Sequence, residues 1–271
     1  MKSQLDISRL LAGSFVGRVE HYAVLPSTQD RAREAASNPF ETLPLLVIAD
    51  EQSAGRGRGD NAWWTGAGNL ALSLLFDPAQ FGCPRRAVPS LSLAVSVAIV
   101  DAVAPRIAGH RIGLHWPNDV VADGRKLAGV LVEILPDGRH ILGVGLNTNS
   151  HAADAPAELQ SRLTTLLDLT SKRQDHTEVI LDILNHLDVC LRLLGADGDS
   201  LGVRYNDLCL QHGEALTLYL GANAITGPCL GIASDGGLLL DAPDGPRAFY
   251  SGTLQPPKTM DSKLEARDGR Q

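Results

Sequence analysis

Two Asp-Gly pairs, Asp123-Gly124 and Asp137-Gly138, punctuate three apolar runs. The runs are Leu114 to Val121, Lys126 to Ile134 and Ile141 to Asn147. Asp-Gly between strand-like runs is a strong hairpin signal, because both turn residues must take up left-handed backbone angles. The segment is therefore expected to fold as an antiparallel meander. That commitment limits what the rest of the chain can do, since every further element must cover or extend this sheet. Lys126 opens a strand that is otherwise nearly all apolar, Lys126-Leu127-Ala128-Gly129-Val130-Leu131-Val132-Glu133. A lysine in that place either snorkels to the sheet edge or faces a polar cavity. Gly129 in the same strand marks close approach by a ligand or another backbone.

Upstream, Leu45 to Ala49 and Leu70 to Phe76 are short apolar runs that read as buried strands. Between them lies Gln52-Ser53-Ala54-Gly55-Arg56-Gly57-Arg58-Gly59. Alternating glycines let backbone amides approach a ligand closely. Arg56 and Arg58 carry guanidinium groups that match carboxylate and phosphate oxygens two at a time. Such a loop suits a small anionic molecule; the bland alternative is a surface turn with two solvated arginines. Trp63 and Trp64 follow, one expected to pack the loop's exit and the other free to stack on a ring.

Arg18 to Leu25 reads as a strand that feeds a helix through Pro26-Ser27-Thr28-Gln29-Asp30. Ser27 is placed to cap that helix, with Asp30 in a capping-box-like position, and Asn38-Pro39 ends it. Ser27 and Thr28 also stand where a ligand would meet the helix N-terminus. A short helix precedes the strand, around Leu5 to Leu11. Pro89 to Ala104 has apolar residues at helical spacing, and Pro89 suits a first turn. Val179 to Leu194 and Asp199 to Leu210 read as further helices. From Glu214 the texture changes to short strands between Gly, Asn and Pro turns, expected to form a small β-barrel. The division expected is residues 1–211, 212–255 and a disordered tail at 256–271.

The chain has 271 residues, 44% of them hydrophobic, enough for a large and a small core. A net charge of −7 argues against general nucleic-acid binding, which needs a basic face. No apolar run approaches the ~18 residues of a membrane span, and no signal peptide is legible. Cys83, Cys190, Cys209 and Cys229 are far apart in sequence, so neither a zinc site nor a disulfide framework is indicated. A cytoplasmic protein with reduced thiols is expected.

Several of these stretches resemble one family. Gly55-Arg56-Gly57-Arg58 with Trp63 and Gly68-Asn69-Leu70 resembles the biotin-loop motif of biotin–protein ligases. Trp116-Pro117-Asn118-Asp119 with Lys126 to Glu133 resembles the second motif, and Gly143-Val144-Gly145-Leu146-Asn147 the third. Ser27-Thr28, and Gly231-Ile232 with Gly237 to Leu240, are similar to the family's substrate-contacting turn and C-terminal barrel. Gln29 and His115 depart from it, standing where asparagine and lysine are usual.

The resemblance implies an α+β fold: a mixed-sheet biotin/lipoate ligase-like catalytic domain followed by a small SH3-like β-barrel, of the short class without a DNA-binding domain. It implies an ATP-dependent ligase that forms biotinyl-5′-AMP with Mg²⁺. Biotin then passes to a lysine of a biotin carboxyl carrier domain of a biotin-dependent carboxylase such as acetyl-CoA carboxylase. It leaves room for a homodimer. Lys126 and Arg58 would be catalytic. Ser27, Thr28, Gln29, Gln52, Arg56, Gly57, Arg58, Lys126 and Gly129 would bind biotin. Arg56, Arg58, Trp63, Asn118, Asp119 and Asn147 would bind ATP or adenylate, and Asn118 and Asp119 the metal. No covalent nucleophile is needed, so catalysis would be positioning and electrostatic stabilisation. A lipoate or octanoate ligase or transferase of related fold, and a non-catalytic biotin or nucleotide sensor, are the rival readings.

Overall fold

A computed structural model describes residues 5–83, 90–196 and 199–254. Its first layer is a seven-stranded mixed sheet in the order β1-β2-β3-β7-β6-β5-β4. Helix α1 (Ile7–Gly13) leads into β1 (Arg18–Leu25), then α2 (Thr28–Ala35), β2 (Leu45–Gln52) and β3 (Leu70–Phe76). Helix α3 (Leu91–Val103) precedes β4 (Ile112–His115), β5 (Asp119–Ala122), β6 (Arg125–Ile134) and β7 (His140–Leu146). β1 and β2 are parallel, joined through α2; the other pairings are antiparallel.

The expected meander is present. Asp123 and Gly124 both take positive φ, 48° and 76°, the geometry of a tight primed hairpin turn. The meander carries one more strand than expected, β4, which pairs with β5 around Trp116-Pro117. Pro89, expected in the first turn of α3, lies outside the described residues, as does the tail expected from 256 onward.

Alternation along the central strands explains how both sheet faces are covered. Leu45, Val47, Leu75 and Ile141 pack under Ala32 and Ala35 of α2. Leu46, Ile48, Leu72, Leu74, Leu142 and Val144 point the other way, into the main core. There α3 is buried nearly all round, which its uniformly apolar sequence requires. Helix α6 (His176–Ala196) covers α3, reached through α4 (Ala157–Gln160) and α5 (Leu166–Thr170). Neither short helix is legible in the sequence, being too brief for helical periodicity.

Helix α7 (Asp199–Leu208) leads to a second, antiparallel sheet: β8 (Ala215–Leu220), β9 (Asn223–Ile232), β10 (Leu238–Ala242), β11 (Gly245–Phe249) and β12 (Thr253–Leu254). Its order is β11-β10-β9-β8-β12, in keeping with the small barrel expected. Its inward residues, Leu218, Ile232, Leu238 and Leu240, join the main core rather than forming a separate one. Trp116 ties the two sheets. Its backbone N–H donates to Gln211 Oε1 at 2.7 Å and its indole to the Gly236 carbonyl at 3.0 Å.

Candidate active site

The face of the large sheet toward α2 is missing side chains in its middle. Gly129 of β6 pairs with Gly145 of β7, and Gly143 pairs with Leu131 and with Ser73 of β3. Because side chains alternate, Ser73, Gly143, Gly145 and Gly129 share this face with Ile141. The result is a bare floor bounded by α2 at one end and Lys126 at the other.

At the α2 end is a continuous polar network. Ser27 caps α2 by accepting from the Gln29 N–H at 3.2 Å. Asp30 does not return the bond to Ser27, so the expected capping box does not form; its carboxylate is drawn instead to Arg33 and Arg56. Gln52 Oε1 accepts from both the N–H (2.9 Å) and the hydroxyl (3.1 Å) of Thr28, and Gln52 Nε2 donates to Thr65 Oγ1 at 3.1 Å. The Ser73 oxygen stands 2.9 Å from Thr28 Oγ1 and 3.0 Å from Gln29 Oε1, and its single proton is shared between them. Gln29 reaches across so far that a Cβ on Gly143 would lie 2.6 Å from its Oε1. The hydroxyl and amide groups of Thr28, Gln29 and Ser73 are buried, so their polarity is costly unless it serves binding or this network.

At the other end Lys126 Nζ lies 2.8 Å from Asp119 Oδ1 and 5.4 Å from the Trp63 ring centroid. Its chain runs over Gly129, whose missing Cβ would stand 3.1 Å from Lys126 Cε. The lysine thus lies over Gly129 toward Trp63, its side chain still 38% exposed. Thr164 holds the Lys126 carbonyl through its N–H at 2.9 Å, and its buried hydroxyl has no partner among the described residues.

Trp63 resolves the question of the two tryptophans. Its indole lies on the glycine floor: a Cβ on Gly145 would be 2.1 Å from its Cε2, and one on Gly129 3.0 Å from its Cζ3. Its Nε1 is buried without a partner among the described residues. Trp64 instead folds onto Gly66 and shapes the loop's exit.

The loop glycines have a role that differs from the expected one. The Gly57 amide, expected to face a ligand, donates to the Asn61 carbonyl at 2.7 Å. Gly55 has no room for a Cβ because the Trp63 carbonyl would be 2.5 Å away, and Gly59 turns the chain with φ of 63°. The loop closes on itself through a bridge between Arg56 and Ala62.

Its arginines are engaged by protein partners. Arg56 Nη1 pairs with Asp30 and Glu133, both at 3.0 Å, while Arg33 pairs with the same two carboxylates. Lys126 lies over Gly129, and Glu133 stands four residues further along β6, about 13 Å at ~3.3 Å per residue, so the two cations are set apart along the strand. Arg58 donates to the Gly252 carbonyl between β11 and β12, linking loop and small sheet.

Asn118 and Asn147 are placed as backbone supports. Asn118 Nδ2 donates to the Val130 carbonyl at 2.7 Å, and Asn147 Nδ2 to the Lys126 carbonyl at 3.3 Å. His115 stands opposite Asp119 in the β4–β5 hairpin. Burial lowers its pKa, opposed by Asp119 and assisted by Lys126. Gln211, its amide orientation set by Trp116, presents Nε2 to His115 Nε2 at 3.2 Å, so that ring nitrogen accepts.

Thus Thr28, Gln29, Gln52, Asp119, Lys126 and Gly129 surround one glycine floor that Trp63 covers, while Arg56 ties the loop to α2 and β6 and Arg58 ties it to the small sheet. Ser73, Thr65 and Thr164 escaped the sequence reading. Only Ser73 carried a visible signal, a single hydroxyl in the apolar strand Leu-Ala-Leu-Ser-Leu-Leu-Phe.

Residues 22–149 match the model of the biotin/lipoate A/B protein ligase family. A bifunctional ligase/repressor of Bacillus spizizenii is 31% identical over 255 residues, covering 86% of this chain and 72% of that protein. A biotin–[acetyl-CoA-carboxylase] ligase of Mycobacterium tuberculosis is 32% identical over 233 residues, covering 85% of each. A solved Aquifex aeolicus biotin protein ligase in complex with biotin and ATP superposes with a TM-score of 0.77 at 29% identity, covering 88% of this chain and 98% of that one.

Proposed function

This chain belongs to the biotin/lipoate A/B protein ligase family, and on that premise we propose how its residues perform an ATP-dependent biotin–protein ligation. The protein is a ligase that couples biotin to ATP as biotinyl-5′-AMP and transfers biotin to a lysine of a carrier protein. The observation that carries the residue assignment is the trough with a polar network at one end and Lys126 at the other.

The network suits a cyclic urea. Its N–H groups need acceptors and its carbonyl a donor, and Thr28, Gln29, Gln52 and Ser73 offer both. A dithiolane ring or plain alkyl chain would make no hydrogen bond to those groups, forgoing about 0.5–1.5 kcal/mol for each bond that a cyclic urea makes. The glycine floor takes the bicyclic body. Trp63 now rests there, so we propose that its indole swings off on binding and closes over the ligand, excluding water from the anhydride. The side-chain carboxylate then reaches Lys126.

In the first step a biotin carboxylate oxygen attacks the α-phosphorus of ATP and pyrophosphate leaves. Lys126 draws the carboxylate into line and offsets charge that builds on the phosphoryl oxygens. Asp119 holds the ammonium in place until then. In the second step the carrier lysine, as the free amine, attacks the biotinyl carbonyl carbon and AMP leaves. Among the described residues no cluster of three or more metal-ligating side chains exists. Asp119 and the Asn118 side-chain oxygen form a sparse set that fits Mg²⁺ only as an ion carried in with phosphate oxygens. They would hold it there, where it neutralises pyrophosphate charge.

Arg58, bound to the Gly252 carbonyl, closes the loop against the small sheet and retains the adenylate. The chain divides near residue 211, and the second sheet forms the wall that meets the carrier. The carrier is the carboxyl carrier domain of a biotin-dependent carboxylase, and the ligase works in the cytoplasm. No described helix is long and apolar enough to cross a membrane.

The test is ATP–pyrophosphate exchange with biotin, lipoate or octanoate as the acid, followed by mass measurement of a carrier domain. Biotin-dependent exchange and a single biotinyl addition support the assignment. Exchange driven by octanoate or lipoate would overturn it.

A further inference from the structure

Between α7 and the small sheet the chain runs alongside β4. Leu210 donates its N–H to the Leu114 carbonyl at 3.0 Å, and Cys209 forms a parallel bridge with Leu114. A Cβ on Gly113 would stand 2.4 Å from the Leu208 carbonyl oxygen, so the two segments touch. The Gln211 carbonyl accepts from the Glu214 N–H at 3.0 Å, which fixes the backbone on its other side. The Gln211 side chain is thereby buried against the end of β4.

The two ends of its amide are not interchangeable. The Trp116 backbone N–H can only donate, so the atom 2.7 Å from it is the amide oxygen. The amide nitrogen then faces His115 Nε2 at 3.2 Å, and it too can only donate. A ring nitrogen that receives this N–H carries no proton. The His115 imidazole is therefore neutral, with its proton on Nδ1. One backbone N–H thus dictates, through Gln211, the tautomer of a ring in the site.

The neighbour of that ring across the hairpin is Asp119. The two residues are directly paired between β4 and β5, so their side chains leave the same face. Among the described residues the partner of the Asp119 carboxylate is Lys126, with Nζ 2.8 Å from Oδ1, and not the ring. A ring free to turn would present an N–H to that carboxylate and compete with the ammonium. Taking the chain as the biotin–protein ligase proposed, we infer that Gln211 is a positioning residue: it pins His115 in the Nδ1–H tautomer and so reserves the Asp119 carboxylate for Lys126. It does so from the connection into the small sheet, and the same amide holds Trp116, whose indole is bound to the Gly236 carbonyl.

The full chain, labelled with ¹⁵N, is studied by long-range ¹H–¹⁵N correlation of its histidine rings at one fixed pH, with His115→Gln identifying the His115 signals. The expected wild-type spectrum shows a protonated Nδ1 and a bare Nε2. Gln211→Glu keeps an acceptor for the Trp116 N–H but turns an acceptor toward the ring as well, so the ring proton should move to Nε2. The kcat of biotin-dependent pyrophosphate exchange should then fall roughly 5–10-fold, the effect of about one hydrogen bond, with KM for biotin unchanged. Combining Gln211→Glu with His115→Gln gives the new carboxylate an amide donor, and this pair should exchange within about twofold of His115→Gln alone. A wild-type Nε2 that carries the proton would overturn the proposal. So would a moved proton with unchanged kcat, or a loss of kcat carried in full into the His115→Gln background, which would make Gln211 a structural residue. The ring spectrum needs no turnover: a wild-type chain without biotin-dependent exchange would overturn the ligation reading, while the spectrum still decides the pairing of Gln211 with His115.

Discussion

Replacing Gly145 by alanine tests whether the glycine floor is the seat of the ligand's ring. Gly145 has no positive φ, so alanine meets no backbone strain there. The new Cβ would lie 2.1, 2.4 and 2.5 Å from Cε2, Cζ2 and Nε1 of Trp63, more than an ångström inside van der Waals contact. The indole is rigid, and Trp63 cannot retreat with its backbone: its N–H is fixed to the Gly55 carbonyl at 2.9 Å. The ring must leave the floor, and the methyl then stands where a bicyclic ring would lie. Overpacking of this kind costs about 1–3 kcal/mol, or roughly 5–150-fold in binding at ~1.4 kcal/mol per decade. The expected result is a KM for biotin raised by that factor with the KM for ATP little changed, and a melting temperature lowered by about 2–4 °C for each kcal/mol that displacing the indole costs. Gly143→Ala should be milder. Its Cβ would meet the Gln29 side-chain oxygen at 2.6 Å, the end of a flexible chain. Steady-state pyrophosphate exchange at varied biotin gives both constants. A folded Gly145→Ala enzyme with wild-type KM for biotin would refute the reasoning and place the seat elsewhere.

Lys126→Ala should cut adenylate formation about 100-fold, near 3 kcal/mol for one charge-assisted contact at a transition state; normal exchange in the folded variant would make Lys126 peripheral. Arg58→Gly removes the link to the Gly252 carbonyl and should raise adenylate release, seen as biotin labelling of bystander lysines; unchanged selectivity for the carrier would count against it. A chain ending at Gln211 loses the Gly236 acceptor of the Trp116 indole and should melt well below the full chain, an effect absent if the barrel is a mere appendage. Burial lowers the pKa of both His115 and His176. The unfolded chain therefore takes up protons first, and stability present above pH ~6.5 is lost as pH falls below it. Urea midpoints at pH 7.5, 6.5 and 5.5 should fall in that order, and His115→Gln with His176→Gln should flatten the slope; parallel slopes would remove both rings from the account. His110 works in the opposite sense, held up by Asp123, but it is exposed.

The strands, hairpin turns and cap were legible because each follows from local chemistry. Asp123-Gly124 can hardly be anything but a turn, and Leu70 to Phe76 is too apolar to be other than a buried strand. The second sheet was legible from its Gly-rich spacing alone. What sequence spacing could not determine was which face of each strand meets which neighbour. Lys126 and Asp119 are hairpin neighbours, so their pairing at 2.8 Å is nearly local. The union of Ser73, Gly143 and Gln29 is not. It depends on β7 inserting between β3 and β6, a non-local pairing that a period-2 pattern leaves open. The same holds for Arg56. By composition it suits any anion, and tertiary structure hands it Asp30 from α2 and Glu133 from the end of β6. Trp63 shows the difference most plainly. The sequence determined that a tryptophan follows a glycine loop; only the register of β6 against β7, which sets Gly129 opposite Gly145, decided that the ring has a bare floor to rest on.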